Sequence, residues 1–242
     1  MKLDLGGTDL GNILIERIGQ GKLVLMRYGP GSGGDLLLKQ FLAERNEGNY
    51  SMVISTFETR NDVERTMKEN GINVDLEVIS LVPLIRAEME GAARRDGFLT
   101  DGVLVTDLFD QAGAEEVSEM ECSAAELFLA AMSNAARKQV SSFRLVIESL
   151  PDLVAISSRE EVHRRFIELK EVLREKNGTA IVGAPLGVED HWDCTLFDAF
   201  FEVRADGDKR KLALKNVRGS GEPPREWPVE EQDIPSASPV DN

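Results

Sequence analysis

Along the chain, short uninterrupted apolar runs alternate with stretches whose apolar residues recur every three or four positions. Leu10, Ile13, Leu14 and Ile18 fall at helical spacing and stop at Gly19-Gln20-Gly21, which predicts a short helix. The run Leu23-Val24-Leu25-Met26 follows, the pattern of a strand buried on both faces. The alternation then repeats, with a helix over 36–42, a strand over 50–57, a helix over 61–70 stopped by Gly71, and a strand over 78–82. Residues 83–102 predict a charged extra helix and loop, 103–106 a short strand, and 107–122 a polar connection. Ser123 opens a helix to Val140, with Glu126 as its capping-box partner. A strand over 143–150, an amphipathic helix over 158–176 closed by Asn177-Gly178, and a core strand over 179–184 come next. Two alternating runs, 196–204 and 209–217, flank Asp206-Gly207-Asp208 in the manner of a hairpin. This order predicts an α/β fold: a mostly parallel central sheet with helices on both faces and a C-terminal hairpin.

Beyond Gly221 the character changes. Prolines at 223, 224, 228, 235 and 239, together with six acids against one arginine, predict a largely disordered acidic tail over 221–242. Only Trp227-Pro228-Val229 is expected to dock, and a single folded domain is expected over 1–220. The chain's 242 residues, 42% of them hydrophobic, are enough for one such core.

Charge narrows the partners. With 43 acidic against 28 basic residues the net charge is −15, which opposes nonspecific binding to a phosphate backbone, so no nucleic-acid partner is expected for the chain by itself. Eighteen Arg against ten Lys, with that surplus of carboxylates, is the balance of a salt-accumulating, haloarchaeal type of cytoplasm; an ordinary acidic cytosolic protein is the alternative. Cys122 and Cys194 are too few for a cluster or a disulfide framework, and the spacing in His191-Trp192-Asp193-Cys194 matches no metal signature. His163 has no second ligand, so no metal site is expected. The segment Met1–Leu5 lacks the features of a signal peptide and no apolar run has membrane-spanning length; a cytoplasmic protein without a membrane partner is expected.

The candidate chemistry begins between the first long strand and its helix, at Tyr28-Gly29-Pro30-Gly31-Ser32-Gly33-Gly34-Asp35. Strand, glycine-rich turn and helix in that order present free N–H groups to a phosphate. The working pattern, however, is G-x-x-x-x-G-K-[ST], with a Lys for the outer phosphates and a hydroxyl for magnesium. With Gly33 as the second Gly, Tyr28, Gly34 and Asp35 stand at the positions of the first Gly, the Lys and the hydroxyl. The loop keeps its shape and loses its reactive residues.

This loop, with the helix Leu38-Lys39-Gln40-Phe41-Leu42, resembles the KaiC-like and RadA-like branch of the RecA-type ATPases, whose usual form is G-G-P-G-S-G-K-T followed by L-A-x-Q-F-L. The resemblance implies a RecA-like P-loop NTPase fold and assigns Gly29, Gly31, Ser32, Gly33, Gly34 and Asp35 to a degenerate nucleotide loop. It extends to Phe57-Glu58-Thr59, where the family commonly has Phe-Glu-Glu with glutamates that position the attacking water. It continues at Arg144-Leu145-Val146-Ile147-Glu148-Ser149-Leu150, where the family has a Walker B strand ending in Asp, here Glu148. It ends at Asn216-Val217-Arg218-Gly219, against a family Lys-x-Arg-Gly turn whose basic residues reach the γ-phosphate of a neighbouring subunit. Each residue also has a plain alternative: Glu58 as an acid at a helix start, Glu148 as a buried strand-end carboxylate bonded to a loop, and Arg218 as the partner of a local carboxylate.

These landmarks imply a non-hydrolysing KaiC-like protein acting as a regulatory or binding subunit. No cofactor is expected, ATP with magnesium would bind weakly if at all, and the partner would be a protein or further copies of the chain. Any residual activity would rest on Glu58 and Glu148. An active KaiC-like ATPase in signalling, drawing its cation from a partner chain, and a recombinase paralogue are the alternatives. Asp35 is expected to satisfy the start of the loop helix, by capping it or by setting its charge against the dipole, and Gly34→Lys with Asp35→Thr is expected to reopen the site.

Overall fold

A computed structural model describes residues 2–4, 10–43, 49–72, 76–82, 142–155, 157–187, 196–206, 209–218 and 223–232. In chain order the elements are β1 (Lys2–Asp4), α1 (Leu10–Ile18), β2 (Lys22–Tyr28), α2 (Gly34–Ala43), β3 (Asn49–Ser55), α3 (Arg60–Glu69), β4 (Leu76–Ser80), β5 (Ser142–Ile147), α4 (Leu150–Ala155), α5 (Arg159–Glu175), β6 (Thr179–Pro185), β7 (Ala199–Asp206), β8 (Lys209–Val217) and β9 (Arg225–Gln232). The elements expected within 83–140 and the loop 191–194 lie outside the described residues.

The strands form one sheet in the order β1-β9-β8-β7-β2-β6-β5-β3-β4. From β7 to β4 every pairing is parallel, and β8, β9 and β1 extend that sheet by antiparallel pairings. The apolar run of β2 shows why the sheet is covered on both faces. Val24 and Met26 join a core with Leu14 of α1, Leu37 and Phe41 of α2 and Val63 of α3. Leu23 and Leu25 join a second core with Leu153 of α4 and Phe166 and Leu169 of α5. A strand buried on both faces needs no polar alternation, and β2 has none until Arg27.

Local chemistry starts and stops the helices where the sequence signals them. Thr59 caps α3, its hydroxyl accepting from the Asp62 N–H at 3.3 Å, and Ser158 caps α5 by accepting from Glu161 N–H at 3.1 Å. Asn177, at φ 49°, turns the chain out of α5 in the left-handed region that asparagine tolerates. The last carbonyls of α2 are satisfied by the sheet: Arg144 donates to Phe41 O at 2.7 Å and lies over the Phe41 ring, and Ser51 donates to Leu42 O at 3.1 Å. These bonds fix the register of α2 on the sheet, and so the direction of every side chain it carries toward the carboxyl edge.

Two boundaries matter for the site. The strands expected over 50–57 and 143–150 stop at Ser55 and Ile147; Glu58 lies beyond the ladder, and Glu148 keeps one last backbone bond to β3, its N–H donating to Ile54 O at 3.1 Å. The C-terminal segment also differs from expectation, because Arg225–Gln232 is a full strand where composition predicted only Trp227–Val229 to dock. The Trp227 ring lies tilted against Phe201 with centroids 6.4 Å apart and Val229 is buried, while Glu226, Pro228 and Glu230 are exposed. That period of two outweighs the proline, which sits where β9 is paired with β8 and β1 has not yet begun.

Candidate functional site

The carboxyl ends of β2, β3, β5 and β6 lie side by side, the place where open α/β sheets hold their ligands. Beyond them is a cavity of about 490 Å³, lined by loop residues Tyr28 to Gly31, by Asp35, Leu38 and Lys39 of α2, and by Phe57, Glu58, Glu148 and Pro185. The fold therefore brings Glu58 and Glu148, which are 90 residues apart in sequence, to one wall opposite the glycine-rich loop.

In the loop, Gly31 and Gly33 take φ of 68° and 77°, a turn that a side chain would strain. Ser32 N–H donates to Gly29 O at 3.2 Å, and the buried Ser32 hydroxyl has no hydrogen-bond partner among the described residues. Gly34 is required for a different reason: a Cβ built there would lie 2.2 Å from the Tyr28 Cβ. The tyrosine ring thus occupies the space into which a lysine at position 34 would enter. Asp35 lies within the first turn of α2 and is exposed. Among the described residues its carboxylate makes no hydrogen bond to the helix, so of the two roles expected for it the charge against the dipole is the one its position allows. Gly34→Lys with Asp35→Thr, expected to reopen the site, would meet the Tyr28 side chain there, so the ring or the loop would have to move as well.

The residue that sequence reasoning missed is Lys39. It is 5% exposed, and its ammonium donates to Glu58 Oε2 and lies 3.6 Å from Glu148 Oε1. Burial disfavours the charge on Lys39, but Glu148 and Glu58 more than offset this, and its pKa lies above the ordinary lysine value. Glu58 is held further by the Thr66 hydroxyl at 3.0 Å on Oε1, and its N–H donates to Ser55 Oγ at 3.0 Å. Ser55 in turn donates to Glu148 Oε2 at 2.6 Å, joined by Thr56 N–H at 3.3 Å. The Tyr28 hydroxyl donates to the Glu148 carbonyl at 3.2 Å, closing a network between the loop and the two acids. Of the alternatives left by the sequence, Glu58 is therefore not merely an acid at a helix start. It precedes the cap Thr59 and reaches across to α2.

Burial raises the Glu148 carboxyl above its ordinary range; Lys39 and the Ser55 hydroxyl pull it down without cancelling that effect. The native state therefore keeps this proton at a pH where the unfolded chain has released it. The resulting stability is full below the ordinary carboxyl pKa and is lost as pH rises through the higher folded value. Glu148→Gln cannot ionise, so its stability relative to wild type is expected to improve as pH rises above the ordinary carboxyl range. Urea melts of both proteins at a series of pH values from the ordinary carboxyl range upward test this, and a flat or opposite trend would show that the carboxyl is not raised.

Arg218 is not brought to this cavity. Its N–H donates to Asp198 O at 2.8 Å, and Val217 pairs with Ala199, which lies opposite Val24 near the start of β2. It is thus at the amino edge of the sheet, away from the cavity. Arg210, from the other end of the hairpin, approaches the loop instead, with its guanidinium 3.8 Å from the point where a Gly33 Cβ would stand. It lies outside the cavity lining. No helix among the described residues is long and apolar enough to cross a membrane.

Comparison with known proteins agrees with this geometry. The family model described as "ATPase: KaiC" matches residues 5–185. The solved structure of a KaiC-like protein from the hyperthermophilic archaeon Pyrococcus horikoshii OT3 is similar over 95% of both chains, with a TM-score of 0.58 and 17% identity, a likeness of fold alone. No curated protein matches the chain. Strand order, a phosphate loop after β2, acids at the carboxyl edge and a family match over well more than half of the sequence together place this chain in the KaiC family of RecA-type ATPases.

Proposed function

We propose that the chain is a non-hydrolysing member of its family, a regulatory or binding subunit whose affinity for magnesium-ATP in the usual pose is weak or absent. The observation that carries this is the buried Lys39 ammonium set between Glu58 and Glu148, the two carboxylates that would otherwise serve water and magnesium. An internal cation bound to both acids competes with a metal for the same oxygens, and the loop offers neither a lysine nor a hydroxyl at positions 34 and 35 to recover the difference. Two like charges roughly 4 Å apart at an effective dielectric of about 20 repel by about 4 kcal/mol, and Asp35 would face a phosphate at about that range. A protein partner or further copies of the chain would then be what the domain acts on. With a net charge of −15 it would not hold nucleic acid unaided.

The test is ATP binding and turnover by the full chain, at low and at molar potassium, because an acid-rich surface of the salt-adapted kind would conceal a weak site at low ionic strength. The expected outcome is turnover no faster than background in either salt. Turnover that disappears in Glu58→Ala or Glu148→Ala would sink the proposal in favour of the active-ATPase reading. In that case Lys39→Met separates a cation supplied by this chain from one supplied by a neighbour, since only the first loses its activity.

A further inference from the structure

We infer that the Glu58 side chain is a gate between the cavity and the Lys39–Glu148 pair, and that it opens by local rotation without unfolding either core. The inference deepens the proposed reading of the site, in which an internal cation holds both acids, and rests on it. The three charged groups line the same cavity but lie at different depths. The side chains of Lys39 and Glu148 are each 6% exposed, whereas that of Glu58 is 26% exposed. Glu58 is thus the outer member of the group and the one in contact with solvent.

The backbone of Glu58 is pinned. Its N–H donates to Ser55 Oγ at 3.0 Å and its carbonyl accepts from the Ser80 hydroxyl at 2.9 Å, which ties the residue to β3 and β4, and the next residue, Thr59, already caps α3. What can turn is the side chain, with two bonds to break, Oε2 to Lys39 and Oε1 to the Thr66 hydroxyl at 3.0 Å. Turned outward, the Glu58 carboxylate is hydrated, and the ammonium it leaves keeps Glu148 Oε1 at 3.6 Å as a counter-ion. The open form is therefore a minor local state and not an unfolded one. A ligand that needs Lys39 or Glu148 must enter in that state, and its affinity is reduced in proportion to the fraction of molecules that are open.

The experiment is pulsed acetylation of the full chain with N-hydroxysuccinimidyl acetate, each lysine read by mass spectrometry. Lys68 and Lys209, both exposed, set the open rate. Lys170, whose side chain is 9% exposed and bound to the Asp198 carboxylate at 2.9 Å, reports any opening of the cores. Lys39 of the wild type is expected to react at least about a hundredfold more slowly than Lys68, as a buried ion pair that opens only locally. Thr66→Val removes one bond to Glu58 and changes no charge, so a rise in the Lys39 rate of at least about threefold is expected, with Lys170 unchanged. Glu58→Gln, which also removes the charge, is expected to raise it at least about tenfold. Lys39 reacting as fast as Lys68 in the wild type, a rate unmoved by Thr66→Val, or Lys39 and Lys170 rising together would each overturn the inference. Magnesium-ATP turnover by the same proteins is a separate readout. If the wild type turns over ATP while Lys39 reacts as expected, the non-hydrolysing reading falls and the gate stands. If there is no turnover and the acetylation departs from expectation, this inference falls alone.

Discussion

Lys39→Met is expected to lower the stability of the protein by about 3–5 kcal/mol, the cost of leaving buried carboxylates without their counter-ion. Methionine keeps most of the aliphatic volume, so the loss would be electrostatic rather than a packing defect. The side chains of Lys39 and Glu148 are each 6% exposed and that of Glu58 is 26% exposed, so solvent screens the group far less than a surface pair. Removing a carboxylate as well should restore part of the loss, and the double substitution Lys39→Met with Glu148→Gln is expected to be more stable than Lys39→Met alone. Denaturant melts of the wild type, both single variants and the double variant close the cycle. A loss under about 1 kcal/mol for Lys39→Met would put the lysine among surface pairs and remove it from the account of the site.

Gly34→Ala should be the most damaging single-methyl change in the loop. Its new Cβ would stand 2.2 Å from the Tyr28 Cβ and 2.5 Å from Cγ, contacts that force either the loop or the ring to move. Overpacking of this kind costs about 1–3 kcal/mol or more, whereas in the background Tyr28→Gly the same methyl should cost little, because alanine is the better helix former by about 1 kcal/mol. The same reasoning sets the order in which the loop can be rebuilt. Tyr28→Gly must accompany Gly34→Lys and Asp35→Thr, and the triple variant is expected to bind magnesium-ATP at least about tenfold more tightly than wild type. Equal destabilisation by Gly34→Ala with and without Tyr28 would show that the tyrosine does not fill the place of the missing lysine.

Much of the architecture was legible because it depends on short-range patterns. The run at β2, the caps Thr59 and Ser158, and the two alternating strands β7 and β8 are each decided by residues within a few positions of one another. The segment β9 was misread because proline and acid content described its composition, while its pairing with β8 and its Trp227–Phe201 contact depend on partners elsewhere in the chain. Glu58 and Glu148 could be singled out because strand ends in such sheets face one edge, but nothing local showed what they would meet there.

What the sequence by itself determined is the α/β alternation, the glycine-rich turn between strand and helix, and the presence of Gly34 and Asp35 after Gly33, since each is a statement about adjacent residues. What only the tertiary structure decided is what surrounds those residues. Lys39 reads in sequence as a polar residue on an amphipathic helix, and such a lysine usually reaches for water. Here the bonds of Arg144 and Ser51 fix the end of α2 against the sheet, the lysine side chain is directed toward the strand ends, and the carboxylates of Glu58 and Glu148, just beyond β3 and β5, make burial of its charge tolerable. Burial, pairing and the fit of Tyr28 against Gly34 are properties of distances in space, and a one-dimensional pattern carries none of them until the sheet has closed around the loop.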